Sequence, residues 1–105
     1  MPNVYVINDS GHDYSGAGKF GKLVVISRGR VNKLHLTEMY RDFYDFLKDS
    51  TKRDFIVQSG PTIMCMVAVA MFAAMHGRIN LLIWSELRQS YVVRRLKFPE
   101  GVDNG

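Results

Sequence analysis

The chain lacks most of the residues that announce a chemistry. It has one cysteine, Cys65, set in an apolar run. A lone thiol makes no intrachain disulfide, so nothing points to an oxidising compartment. It cannot build a zinc site either, and the three histidines, His12, His35 and His76, stand far apart with no ligand spacing. No metal is expected. The segment Met1-Pro2-Asn3 has neither the basic start nor the apolar run of a secretory signal, so an intracellular, cytoplasmic, soluble protein is expected. Internal repeats and linkers are missing as well. Charges are interspersed, as in Arg41, Asp42, Asp45, Lys48 and Asp49, a pattern that suits a solvated helix face.

What is present is enough for one domain. At 105 residues and 47% apolar, the chain buries a real core. A domain of roughly 100 residues hides only a little over 60% of its unfolded surface, which favours oligomerisation. The domain is read as 1–98, with 99–105 as a flexible tail. The net charge of +4 permits nucleic acid as a partner without requiring it.

Strands are expected at Asn3–Ile7, Lys22–Ser27, Asp54–Gln58, Ile79–Trp84 and Tyr91–Phe98. Thr37 is the expected N-cap of a helix over Glu38–Asp49, where Met39, Phe43, Phe46 and Leu47 recur at helical spacing. Ser59 or Gly60 is the expected cap of a second helix, Pro61–His76, with proline in its first turn and Gly77 at its end. At about 1.5 Å per residue that helix is roughly 24 Å long. It is apolar on nearly every side, a pattern of burial rather than of membrane crossing. The expectation is that it is covered partly by a second copy of the chain. His76 reads as a cation at a helix C-terminus.

The order strand, loop, strand, helix, strand, helix, strand, strand gives an α/β fold. It has a single mixed sheet of about five strands, two main helices and a βαβ unit. We expect a Rossmann-like, three-layer arrangement completed by oligomerisation. The third and fourth strands must be parallel because a helix joins them, with a right-handed crossover. The basic strand Tyr91–Phe98 suits a sheet edge, and Arg94 and Arg95 are expected in one solvent-facing stripe.

The functional signal is the segment 8–21. It is fourteen residues long and holds four of the nine glycines. Connections in compact domains mostly run about 4–6 residues, and long polar loops carry function. With the first strand parallel to the third and fourth, Asn8-Asp9-Ser10, Gln58-Ser59-Gly60 and Ser85-Glu86 converge at one sheet end. Ligands bind there in open α/β sheets, and the second helix presents its N-terminal amides to an anion. The expected ligand-binding residues are Asn8, Asp9, Ser10, His12, Gly18, Lys19, Ser59, Gly60 and Thr62.

Gly16-Ala17-Gly18-Lys19-Phe20-Gly21 spells the dinucleotide fingerprint. Its first glycine, however, sits nine residues past the strand, and the run opens another strand instead of a helix. No serine or threonine follows Lys19, so the magnesium-binding P-loop is not formed either. The sequence therefore names no cofactor. Ser10, His12 and Asp13 carry the residue types of catalysis, so a hydrolase or transferase would use His12 and Asp13 as acid and base. The competing role for Asp9, Ser10 and Asp13 is bonding the loop's own backbone.

Three functions follow. The first is a small-ligand binding domain for a phosphate-bearing or nucleotide-like anion. The second is an oligomeric assembly protein built through Pro61–His76. The third is a nucleic-acid-binding accessory protein using Arg28, Arg30, Lys33, Arg94, Arg95 and Lys97.

Overall fold

The computed structural model describes residues 1–30, 32 and 34–99. Lys33 and all of the expected tail except Pro99 lie outside them. In chain order the elements are β1 (Asn3–Val6), β2 (Lys22–Val25), α1 (Leu36–Leu47), β3 (Phe55–Val57), α2 (Thr62–His76), β4 (Arg78–Ser85) and β5 (Ser90–Lys97). A short 3-10 turn, Ser15–Lys19, interrupts the long first loop. The five strands form one mixed sheet in the order β2-β1-β3-β4-β5. The first four are mutually parallel, and β5 pairs antiparallel with β4 as a sheet edge.

Crossover handedness explains the layers. The chain moves from β2 to β3 and from β3 to β4 in the same direction across the sheet. Right-handed crossovers then place α1 and α2 on one face. Their buried residues Met39, Phe43, Leu47, Met64, Ala68 and Phe72 pack with Tyr5, Ile7 and Ile56. The step from β1 to β2 runs the other way, so its connection crosses the opposite face. There Ala17, Tyr14 and Phe20 pack on Val4, Val6, Val57 and Leu82. Strand alternation sorts the two cores, since successive side chains point to opposite faces. Among the described residues that second face is covered by the 8–21 loop with its 3-10 turn, and by no α-helix.

Local capping also differs from expectation. α1 begins at Leu36 with His35 in the N-cap position and no side-chain cap, so Thr37 does not cap it, and it ends at Leu47. Pro61 occupies the N-cap of α2, again without a side-chain cap. Gly77 closes α2 in the left-handed conformation at φ 68°, as expected of a glycine stop.

Met64, Ala68 and Phe72 of α2 are buried within the chain, whereas Met66, Ala70, Ala74 and Met75 are exposed on it, leaving the face expected to meet a second copy. One further expectation is corrected. His76 is not a helix-end cation. Its Nε2 lies 2.8 Å from the Ser50 hydroxyl, which itself donates to the Leu47 carbonyl at 2.6 Å. Nε2 must therefore carry the proton and donate to Ser50. Burial holds the imidazole below its usual pKa, which favours the neutral ring. The hydroxyl is committed to the α1 terminus, so the pair supplies no free nucleophile.

Candidate functional site

Strand order reverses between β1 and β3: from β1 the chain moves outward to β2, and from β3 it moves the other way to β4. This is the topological switch point, where the carboxyl ends of two diverging strands leave a crevice. Asn8 leaves β1 and Ser59-Gly60 leaves β3 on its two sides.

Side chains from both loops lock this crevice. The buried Ser59 hydroxyl accepts from the Ile7 amide at 2.8 Å and donates to the Val57 carbonyl at 2.9 Å. It stitches β1 to β3 where neither strand continues its ladder. The Cys65 thiol donates to the Ser59 carbonyl at 2.9 Å, and the Ser59 amide points at the same sulfur at 3.4 Å. Burial pushes that thiol above its usual pKa, so it stays protonated as a donor. Asn8 is also buried. Its amide donates to the Gly29 carbonyl at 3.0 Å and its oxygen accepts from Ser27 Oγ at 2.8 Å. Gly60 sits at φ +74°, and a Cβ there would stand 2.5 Å from Asn8 Cβ. Only glycine fits this left-handed, crowded position.

The mouth of the crevice opens into two clefts that share His12 and Gly60. The larger, about 910 Å³, lies between the 12–19 segment and the β4–β5 hairpin. Its walls include Tyr14, Lys19, Gln58, Trp84, Glu86 and Tyr91. Trp84 is 43% exposed and meets Tyr91 edge-on at 5.2 Å between ring centres. Burial raises the pKa of Tyr91 and Tyr14, so both phenols are hydrogen-bond donors. The smaller cleft, about 890 Å³, is lined by Asn8, Asp9, Ser10, Gly29, Arg30 and Pro61 besides the two shared residues. It adjoins the uncapped start of α2. Both volumes fall within the roughly 300–1,000 Å³ of small-molecule sites.

The expected site residues divide into groups. His12, Lys19, Ser59 and Gly60 reach the larger cleft, and Asn8, Asp9, Ser10, His12 and Gly60 the smaller. Gly18 and Thr62 line neither. Asn8 and Ser59 spend their side chains on the scaffold. So does Asp9, whose carboxylate accepts from the Gly11 amide at 3.0 Å and from Arg28, also at 3.0 Å. The Asp13 carboxylate takes the Ser15 amide at 2.9 Å, and hydrogen bonds from the Ser15 backbone and side chain hold it below its usual pKa. His12 shares no hydrogen bond with Asp13 or Ser10 among the described residues; its nearest aromatic partner is Tyr14, 6.3 Å away edge-on. An assembled acid/base pair is therefore not formed.

Gln58 and Glu86 line the larger cleft at the sheet end where the sequence places them, whereas sequence reading missed Tyr14, Arg30, Trp84 and the hairpin residues Gln89 and Ser90. The usable signal was the end of β4: a strand parallel to β1 and β3 delivers its carboxyl end, and the hairpin beyond it, to the same rim.

The family described as Phage Pam3 gp32-like protein matches residues 2–98, and the chain belongs to it. No curated protein and no solved structure matches.

Proposed function

We propose that this member of the family is a small-ligand binding domain for a phosphate-bearing or nucleotide-like anion, held at the carboxyl end of the sheet. The observation that carries the reading is the convergence of the 8–21 loop and the Ser59-Gly60 turn at the switch point between β1 and β3. The anion would lie in the smaller cleft, near Arg30 and the first-turn amides of α2, where the helix dipole favours negative charge. His12 would bridge the two clefts and Lys19 would neutralise charge from the larger one. The planar part of the ligand would lie against Trp84 and Tyr91, away from the anionic end, where Glu86 would repel a phosphate.

Trp84 is the chain's one tryptophan, so its fluorescence reports the larger cleft. Titration with adenosine diphosphate is expected to change that emission saturably. His12→Ala and Lys19→Ala should each weaken binding by about ten- to a hundredfold, in line with roughly 1.5–3 kcal/mol for a charge-assisted hydrogen bond. Both side chains are exposed, so the melting temperature should stay nearly unchanged. Saturable binding that neither substitution affects would contradict this site, and so would the absence of binding at millimolar nucleotide.

A second reading, self-association through α2, is favoured by one observation. The exposed stripe Met66, Ala70 and Ala74 carries no charge, and Met66 is 61% exposed on the single chain. Sedimentation at micromolar concentration should show a dimer or larger. Ala70→Glu should give a folded monomer, because an unpaired charge buried at an interface costs several kcal/mol. A wild-type monomer would exclude this reading. No helix among the described residues is long and apolar enough to cross a membrane.

A further inference from the structure

The opposite end of the sheet carries a second feature that the ligand site does not use. Lys52 and Arg53 precede β3, Arg78 opens β4, and Arg95 lies near the end of the antiparallel β5. Together with Pro2, Phe55 and Asn80 they line a hollow of about 250 Å³. Cross-strand register adds Lys97, directly opposite Arg78, while Arg95 stands opposite Asn80. Residues 78, 80, 95 and 97 share the face of Leu82 and Val93, the face without long helices. Arg94 pairs with Leu81 on the other face, so the expected joint stripe of Arg94 and Arg95 does not exist. Arg28 and Arg30 are at the far, carboxyl end.

None of these five cations is neutralised within the described residues. The ion pairs there are Arg28–Asp9 and His35–Glu38. Asp54, next to Arg53, spends one carboxylate oxygen on the Asn3 amide at 2.9 Å and the other on the Thr51 amide at 2.8 Å. Arg78 and Lys97 face each other as like charges, an arrangement that repels until an anion is laid across it. The Arg95 guanidinium sits 5.7 Å from the centre of the Phe55 ring, which fixes its place on the surface.

We propose that this surface binds the sugar–phosphate backbone of nucleic acid without regard to sequence. An extended acidic row is what the cations match: Arg95 and Lys97 project from the same side of one strand, about 6.6 Å apart along it. Guanidiniums at 78 and 95 suit bidentate contact with phosphate oxygens. An acidic protein partner would need an apolar anchor at the centre of the patch. The hollow offers no aromatic anchor, because Phe55 is 6% exposed beneath Arg95. Phe55 therefore offers no face for base stacking, and contact falls to the phosphates, which carry no sequence information.

The test is fluorescence anisotropy of a labelled, mixed-sequence single-stranded oligonucleotide over a range of salt concentrations. Binding should be salt-sensitive, with a log–log slope of about −0.7 per phosphate engaged. The double variant Lys52→Gln, Arg53→Gln changes two exposed residues and should keep the fold, which circular dichroism checks. It should bind more weakly, with the slope flattened by about 1.4. Arg94→Gln on the other face, and Lys19→Ala at the ligand site, should leave binding unchanged. Failure of the nucleotide site is thereby distinguishable from failure of this surface. The proposal is overturned by any of three results: no binding at low salt, an Arg94→Gln effect as large as that of the double variant, or equal competition by poly-glutamate, which would point to an acidic protein.

Discussion

Gly60→Ala should destabilise the protein by about 3 kcal/mol. Two costs add. An L-residue in the left-handed region costs about 1–2 kcal/mol, and Gly60 sits at φ +74°. The new methyl would also stand 2.5 Å from Asn8 Cβ. Overpacking of this kind costs about 1–3 kcal/mol. Asn8 has little room to give, since its side chain is tied to Gly29 and Ser27. For a domain with roughly 5–15 kcal/mol in total, this is a large loss. The melting temperature should fall by on the order of 15 °C, at about 4–8 °C per kcal/mol. Gly18→Ala is the contrast. A Cβ there meets nothing within 4 Å and φ is not positive, so the change should be near neutral. Urea unfolding of both variants measures the difference. Equal stabilities would mean that the turn at the switch point is not pinned as described.

Ser59→Ala should cost about 1–3 kcal/mol, the penalty for leaving a buried donor unpaired. The donor is the Ile7 amide, whose partner is Ser59 Oγ, and the substitution also removes the bond to the Val57 carbonyl. The loss is read from the urea midpoint. A change below about 0.5 kcal/mol, typical of an indifferent surface position, would show that the hydroxyl does not join the two strands.

By local pattern Ser59 suits ligand contact or capping of α2, because both needs are local and the residue type fits them. Its actual partner is 52 residues away. Nothing in the local pattern announces a β1 amide that loses its ladder partner at the sheet end. Asn8 and Asp9 follow the same logic. Their polarity marked the right loop, but the bonds to Gly29 and Arg28 across the β1–β2 edge took their side chains. His76 was read as a cation for the same reason, because Ser50 approaches it from the end of another helix.

The strands and helices were legible because they depend on period. Val4 to Val6 and Phe55 to Val57 are short apolar strands, and α1 carries its apolar residues at helical spacing. The direction of β1 was an assumption; parallel pairing with both β2 and β3 supplies it. From that direction the shared rim of the 8–21 loop and the Ser59 turn follows. Trp84 and Tyr91 were not placed at the rim because their pairing depends on the β4–β5 register, which alternation alone does not set.

The central claim is that an anionic ligand occupies the crevice between β1 and β3. Amide chemical-shift mapping of uniformly nitrogen-15-labelled protein titrated with adenosine diphosphate tests it most directly. The account predicts saturable shifts confined to the segment from His12 to Lys19, the amides of Gly60, Thr62 and Ile63, Arg30 and the Trp84 indole, with the amino end of the sheet around Arg53 and Arg78 unmoved. Shifts centred on Arg53, Arg78 and Arg95, with the amides of Gly60, Thr62 and Ile63 unchanged, would contradict it.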